Sequence, residues 1–237
     1  MTKKEELDNY LDNHYIHKSN WLRAAVLGAN DGILSISSIA IGMAAASDQR
    51  EPVILATLAG LVAGALSMAA GEYVSVSSQT DVEKSDIERE EQELKDMPEL
   101  ELQRLATIYE SRGLKKETAL LVAQELTEHD ALGAHVRDEL GITEISQAKP
   151  LQAALASGAS FIFGGILPFL VTLFFPIKNM EYYLYFFAIL FLGFLGGLAA
   201  YTGGSSILKA ILRVTFWGTI AMVLTAVVGH LFGVNLS

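Results

Sequence analysis

Asp31 stands alone as a charge in the run from Ala24 to Ser47, inside the stretch LGANDGILSIS. A carboxylate at bilayer depth costs on the order of 2.5–3.5 kcal/mol on insertion scales, so it is turned toward a cavity or a partner. There it serves as a cation ligand, as a proton-exchanging group, or as a hydrogen-bonded packing residue. Gly28 and Gly32 beside it let another backbone or a hydrated ion come close. Met68 and Glu72, spaced i and i+4 in GALSMAAGEYVS, put a soft thioether and a second carboxylate on one helical face. Methionine is also a common core filler, and Glu72 could simply reach water at the membrane rim.

Further on, Glu83, Asp86, Glu90, Glu93 and Met97 fall at alternating steps of three and four. On a helix this makes a single stripe of carboxylates ending in a thioether. Close like charges destabilise a helix unless something neutralises them, and a divalent cation would; a solvated face is the plain alternative. His135 and Glu139 lie one turn apart and share a face with Glu128 two turns earlier. The chain has no cysteine, so metal ligands are limited to oxygen, nitrogen and thioether. It also has no GxxxxGK[ST], HExxH or GxSxG pattern, so neither ATP hydrolysis nor peptidase or esterase chemistry has an engine here. A membrane enzyme using Asp31 with Glu72 as acid and base lacks a nucleophile, and no enzyme activity is expected.

The elements that carry these residues follow from composition. Of 237 residues, 51% are hydrophobic and 19% charged, and the block Asp81–Lys149 holds 18 of the 27 acids. The remainder breaks into five runs of membrane-spanning length: Leu22–Ser47, Pro52–Val76, Leu151–Pro176, Tyr182–Gly203 and Ile207–Gly233. The first run is too long for a signal-peptide core and contains Asp31. Before it, Leu7, Tyr10, Leu11, His14 and Tyr15 recur at helical spacing, which predicts an amphipathic helix on the membrane surface. With the N-terminus inside, 15 of the 17 lysines and arginines fall inside. This favours an inside N-terminus, a cytoplasmic insert and an outside C-terminus. Gly60 and Gly64 form a GxxxG pair, Gly164, Gly165, Gly193 and Gly197 predict close packing elsewhere, and Pro168 predicts a kink. His230 reads as an interfacial side chain.

The second span should not stop at the membrane surface. From Glu72 to Leu94 there is no proline or glycine, so one helix runs on into the insert and ends near Pro98. Helices at about Pro98–Ser111, stopped by Gly113, then Lys115–Glu128 and Asp130–Leu140, stopped by Gly141, complete a compact insert. The fold class is therefore an all-α membrane protein, with five transmembrane helices and a cytoplasmic helical insert between helices two and three. The expected boundaries are 1–20 for the surface helix, 21–79 for spans one and two, 80–148 for the insert and 149–237 for spans three to five.

AAVLGANDGILS in the first span, ALSMAAGEYVSVSSQTDVE leaving the second, and GGILPFL in the third together resemble the vacuolar iron transporter family, with its nodulin-like relatives. The resemblance covers nearly the whole chain. It implies a homodimeric Fe2+/H+ antiporter that moves Fe2+, and often Mn2+ or similar divalent ions, out of the cytosol. It also implies an ion path at the dimer interface on which Asp31 and Met68 match family positions, with Glu72 one turn further. Relatives with an insert use it to bind metal, whereas the nodulin-like branch lacks one. By that resemblance Glu90, Glu93, Glu101 and Glu139 match family glutamates, and His135 and Val136 replace a methionine pair. A further family glutamate falls on Arg104, and an acidic position of the second span falls on Gly60. A site of Glu90, Glu93, Glu101, His135 and Glu139 still suits Fe2+ or Mn2+, since imidazole replaces thioether; the number of ions and the metal preference stay open.

The expected function is proton-coupled export of a divalent metal from the cytosol, with protons, divalent ions, the lipid bilayer and a second copy of the chain as partners and no nucleic acid. The host membrane would be the cell membrane in a bacterium and the vacuolar membrane in a eukaryote. The alternative is a membrane-anchored protein that sequesters iron in its insert without transport.

Overall fold

A computed structural model describes residues 19–142 and 149–233; the expected surface helix of the leader lies outside the described residues. The described residues are helical throughout, joined by short turns, with no strand among them. In chain order the helices are α1 (Ser19–Ala46), α2 (Arg50–Asp96), α3 (Pro98–Ser111), α4 (Lys116–Asp138), α5 (Pro150–Phe174), α6 (Met180–Thr202) and α7 (Ile207–Gly233). Five of them, α1, α2, α5, α6 and α7, are long and apolar enough to cross a bilayer, and the chain is a multi-pass membrane protein. Contacts divide it into two compact units, Met1–Glu72 with Gln152–Ser237, and Tyr73–Leu151.

In the first unit α1 packs on α6 and α7 around Ile33, Ala40, Ile41, Leu184, Ala188, Leu192 and Met222. Its approach to α5 depends on glycine. A side chain on Gly32 would run into the Phe161 carbonyl, and one on Gly164 into the backbone of Ala29. The far end of α1 meets α7 in the same way, Gly229 lying against the Gly42 carbonyl and Gly233 against Ala46. Small residues of this kind let membrane helices gain dispersion contact, because lipid provides no hydrophobic push between them.

Few polar ties cross between these helices. Thr57, Thr172, Thr215, Thr219, Thr225 and Ser160 donate their hydroxyls to carbonyls three or four residues earlier on their own helix. Among the exceptions, Arg50 donates to the Leu173 and Phe175 carbonyls at the C-terminal end of α5, where the helix dipole favours a cation. Tyr185 and Thr219 join their hydroxyls at 3.0 Å between α6 and α7. Rows of exposed apolar side chains, such as Leu55, Leu58, Val62 and Leu66 on α2, suit hydrocarbon surroundings.

The helix α2 runs unbroken for 47 residues, far more than the ~20 a bilayer needs, and so continues beyond any single crossing. It ends where expected. Met97 leaves the helical region at φ −138°, ψ 52°, and Pro98 opens α3. At the end of α3, Gly113 adopts φ +100° and donates to the Glu110 carbonyl while Leu114 reaches back to Tyr109. The two helices expected after Lys115 are the two segments of α4, separated by a kink at Asp130, whose extended backbone (φ −162°, ψ 87°) breaks the helix. The Asp130 carboxylate accepts the Gly133 N–H at 3.0 Å and so caps the second segment. Leu105, Ala106, Ala123 and Ala134 form the core of this unit.

Replacing Gly164 by valine is expected to cost about 1–3 kcal/mol or more through overpacking. Gly71→Ala, where a Cβ meets nothing within 4 Å, is expected to gain up to about 1 kcal/mol of helix propensity. Thermal unfolding of the detergent-solubilised chain checks both, and an unchanged Tm for Gly164→Val would contradict the close-packing argument.

Candidate metal sites

Two groupings of ligand-type side chains emerge, one in each unit. In the membrane unit, a cavity of about 840 Å³ is lined by Asn30, Asp31, Met68, Arg213 and Trp217 among mostly apolar side chains. Asp31 is exposed and accepts the Ser35 hydroxyl at 3.1 Å. The Asn30 side-chain carbonyl is buried without a hydrogen-bond partner. Gly28 keeps the wall thin beside Met68, whose methyl would lie 3.5 Å from a Cβ there. Asp31 and Met68 thus share one cavity. Glu72 is half-buried and does not line it. Asn30 and Arg213 were not read from the sequence, although Asn30 is the immediate neighbour of Asp31.

The second grouping lies where α2, α3 and α4 meet. Glu90, Glu101, His135 and Glu139 each offer a ligand atom, and these atoms lie within 4.8 Å of one another. A single divalent ion with bonds of about 2.1 Å spans about 4.2 Å between opposite ligands, so a slight contraction closes this set around one ion. Glu90, Glu101 and His135 are buried. His135 Nδ1 is 2.8 Å from Glu90 Oε1, 3.2 Å from Glu139 Oε2 and 3.8 Å from Glu101 Oε2. The close approach to Glu90 lies off the hydrogen-bonding direction, and Glu90 Oε1 has no hydrogen-bond partner. A buried carboxylate oxygen left unsatisfied beside an imidazole nitrogen is a donor set suited to Fe2+ or Mn2+. Ligation by Nδ1 requires its lone pair, so metal binding would drive any proton there away.

Charge shapes this cluster. Burial, reinforced by the charge of Glu139, raises the Glu90 carboxyl above its ordinary value, with His135 opposing the rise. Arg104 bonds to Glu93 Oε2 at 3.1 Å, to Glu101 Oε1 at 3.3 Å and to Glu139 Oε1 at 2.9 Å. Burial alone would lower the Arg104 guanidinium, but the charges of Glu139 and Glu101 outweigh it and hold its pKa up.

Other residues that the sequence put forward lie outside this four-residue set. Met97 is not on the acidic stripe, because α2 ends at Asp96, and its side chain is exposed. Glu83 and Asp86 are engaged elsewhere, by Gln79 and Arg89. Glu93 is held by Arg104 and stands outside the four-residue set. Glu128 is exposed and does not share the face of His135 and Glu139, because the break at Asp130 rotates the two segments of α4 apart.

A carboxylate in a helical membrane cavity and an acidic, histidine-bearing cluster on an extended helical insert define a membrane protein equipped to handle divalent cations. Residues 22–230 match the family model described as VIT family, and the chain belongs to that family. It is 44% identical over 221 residues to a vacuolar iron transporter of Acanthamoeba castellanii, covering 91% of this chain and 82% of the relative. It is 34% identical over 223 residues to vacuolar iron transporter homolog 1 of Oryza sativa subsp. japonica, covering 94% and 78%. With vacuolar iron transporter homolog 1 of Arabidopsis thaliana it shares 32% identity over 231 residues, covering 97% and 92%.

Next to this cluster, Asp138 receives hydrogen bonds from Tyr109 at 2.9 Å and Arg112 at 2.7 Å. Burial would raise its carboxyl, but the donors Arg112, Tyr109 and Arg137 win and lower it. A lowered folded-state value stabilises the fold above the unfolded value, near 3.8, and the contribution disappears as pH falls through the folded one. Asp138→Asn is therefore expected to weaken the α3–α4 unit by about 1–3 kcal/mol at neutral pH and progressively less in acid. Amide hydrogen exchange of α3 and α4 in the full chain checks this; a deficit independent of pH would contradict it.

Proposed function

We propose that this chain is a proton-coupled divalent-metal transporter that moves Fe2+, and Mn2+ as a second substrate, out of the cytosol by H+ antiport. The observation that carries the reading is the shared membrane cavity of Asp31 and Met68. A carboxylate attracts the dehydrating ion when ionised and releases it when protonated, while a thioether favours Fe2+ over hard ions such as Mg2+. The relatives named as vacuolar iron transporters support iron as cargo. Exposure of Asp31 on a single copy supports a homodimer in which a second chain completes the path, because a lipid-facing carboxylate would be costly. The lysine and arginine distribution supports a cytoplasmic N-terminus and insert, and a vacuolar location follows the named eukaryotic relatives. In the insert, Glu90, Glu101, His135 and Glu139 bind the metal, with Glu93 at the margin, and Glu72 serves the path from its rim.

The test is flux of Fe2+, beside Mn2+, into liposomes holding the purified protein, with and without a pH gradient. Asp31→Asn is expected to reduce gradient-driven uptake by about tenfold or more, equivalent to about 1.4 kcal/mol or more. Metal bound without uptake in the wild type would instead favour a membrane-anchored iron-sequestering protein, the reading that the insert cluster alone supports. For the insert, Glu90→Gln with Glu101→Gln is expected to weaken Mn2+ binding to the full chain by roughly tenfold or more. Unchanged titration would return the cluster to a purely structural role.

A further inference from the structure

Resting on the reading of the insert as a metal site, we propose that the Arg104 guanidinium occupies the position of a second divalent ion, so that the cluster binds one metal ion per chain. The argument is the way the carboxylates divide. Glu139 turns Oε2 to His135 Nδ1 at 3.2 Å and Oε1 to Arg104 at 2.9 Å. Glu101 leans to the arginine side, Arg104 bonding Oε1 at 3.3 Å and Oε2 at 3.4 Å while Oε2 lies 3.8 Å from His135 Nδ1. Glu90 faces only the histidine side, and Glu93 bonds Arg104 with no contact to His135. Glu139 thus bridges between a ligand set and a fixed cation, Glu101 lies between them but nearer the cation, and each side has one terminal glutamate. This is the pattern by which carboxylates join paired metal ions about 3.5–4 Å apart.

Glu90 Oε1, without a hydrogen-bond partner on a residue 2% exposed, marks the histidine side as the one suited to take a metal ion. Arg104 is itself half-exposed and spans three carboxylates from α2, α3 and α4, so it fixes their geometry before metal arrives.

The experiment is Mn2+ titration of the full chain in detergent, read by stoichiometry and by electron paramagnetic resonance. The wild-type insert is expected to give the hyperfine pattern of an isolated Mn2+. Arg104→Glu, which exchanges the cation for a fourth carboxylate on that side, is expected to bind one more ion per chain and to give an exchange-coupled pair. Arg104→Gln, which removes the charge with less disturbance, is expected to gain the same extra ion more weakly. A coupled pair in the wild type, or unchanged stoichiometry in both variants, overturns the proposal. Glu101→Gln separates this from the underlying reading. If Mn2+ bound by the wild type does not fall in that variant, the cluster is not a metal site; if it falls while the Arg104 variants gain nothing, only the role of Arg104 fails.

Discussion

A carboxylate withdrawn from water must acquire a proton, a cation or a dense set of hydrogen-bond donors, since the charged form is otherwise too costly to keep. Both ligand groupings in this chain are organised around that constraint, and they meet it differently. In the insert, Glu101 is buried and held by Arg104, with His135 nearby. In the membrane unit, Asp31 has the Ser35 hydroxyl and an open cavity. The first arrangement is fixed by three helices before any ion arrives. The second leaves the carboxylate accessible, as the proposed exchange of a cation would need.

Positioning of Asp31 depends on backbone proximity rather than on directional bonds. Gly32, next in sequence, lies against the Phe161 carbonyl, and Gly28 faces Ser160 and Met68. The carboxylate is therefore mounted on the part of α1 that packs most tightly on α5. The insert uses another device: a proline start on α3, a left-handed glycine turn after it, and the aspartate cap within α4 bring Glu101, His135 and Glu139 to one place. Backbone chemistry at a few residues sets the ligand geometry in each case.

Much of this was legible in the sequence. Apolar run length marks the five long helices, and Pro98, Gly113 and Gly141 mark the turns, because these residues act through local backbone preferences. The family resemblance picked out Glu90, Glu93, Glu101, His135 and Glu139, of which all but Glu93 come together from three helices whose mutual placement no sequence period reveals. Glu93 and Glu128 show where periodicity stops being informative. Glu93 lies on the same stripe as Glu90, yet a guanidinium from α3 takes it. Glu128 has helical spacing to His135, yet a single extended residue at Asp130 cancels that register. Asn30 was passed over because an amide in an apolar helix signals nothing until the cavity beside it is seen.

The hydroxyls of the membrane helices have a mechanical consequence. Because Thr57, Thr172, Thr215, Thr219 and Thr225 spend their donors on their own helices, displacing one of these helices along its neighbour would break few hydrogen bonds. Smooth glycine-lined contacts resist separation far more than they resist sliding, which is the geometry of shear. The bundle is thus a set of closely fitted, weakly keyed rods, able to change the depth of a side chain such as Asp31 without first paying for a broken polar network.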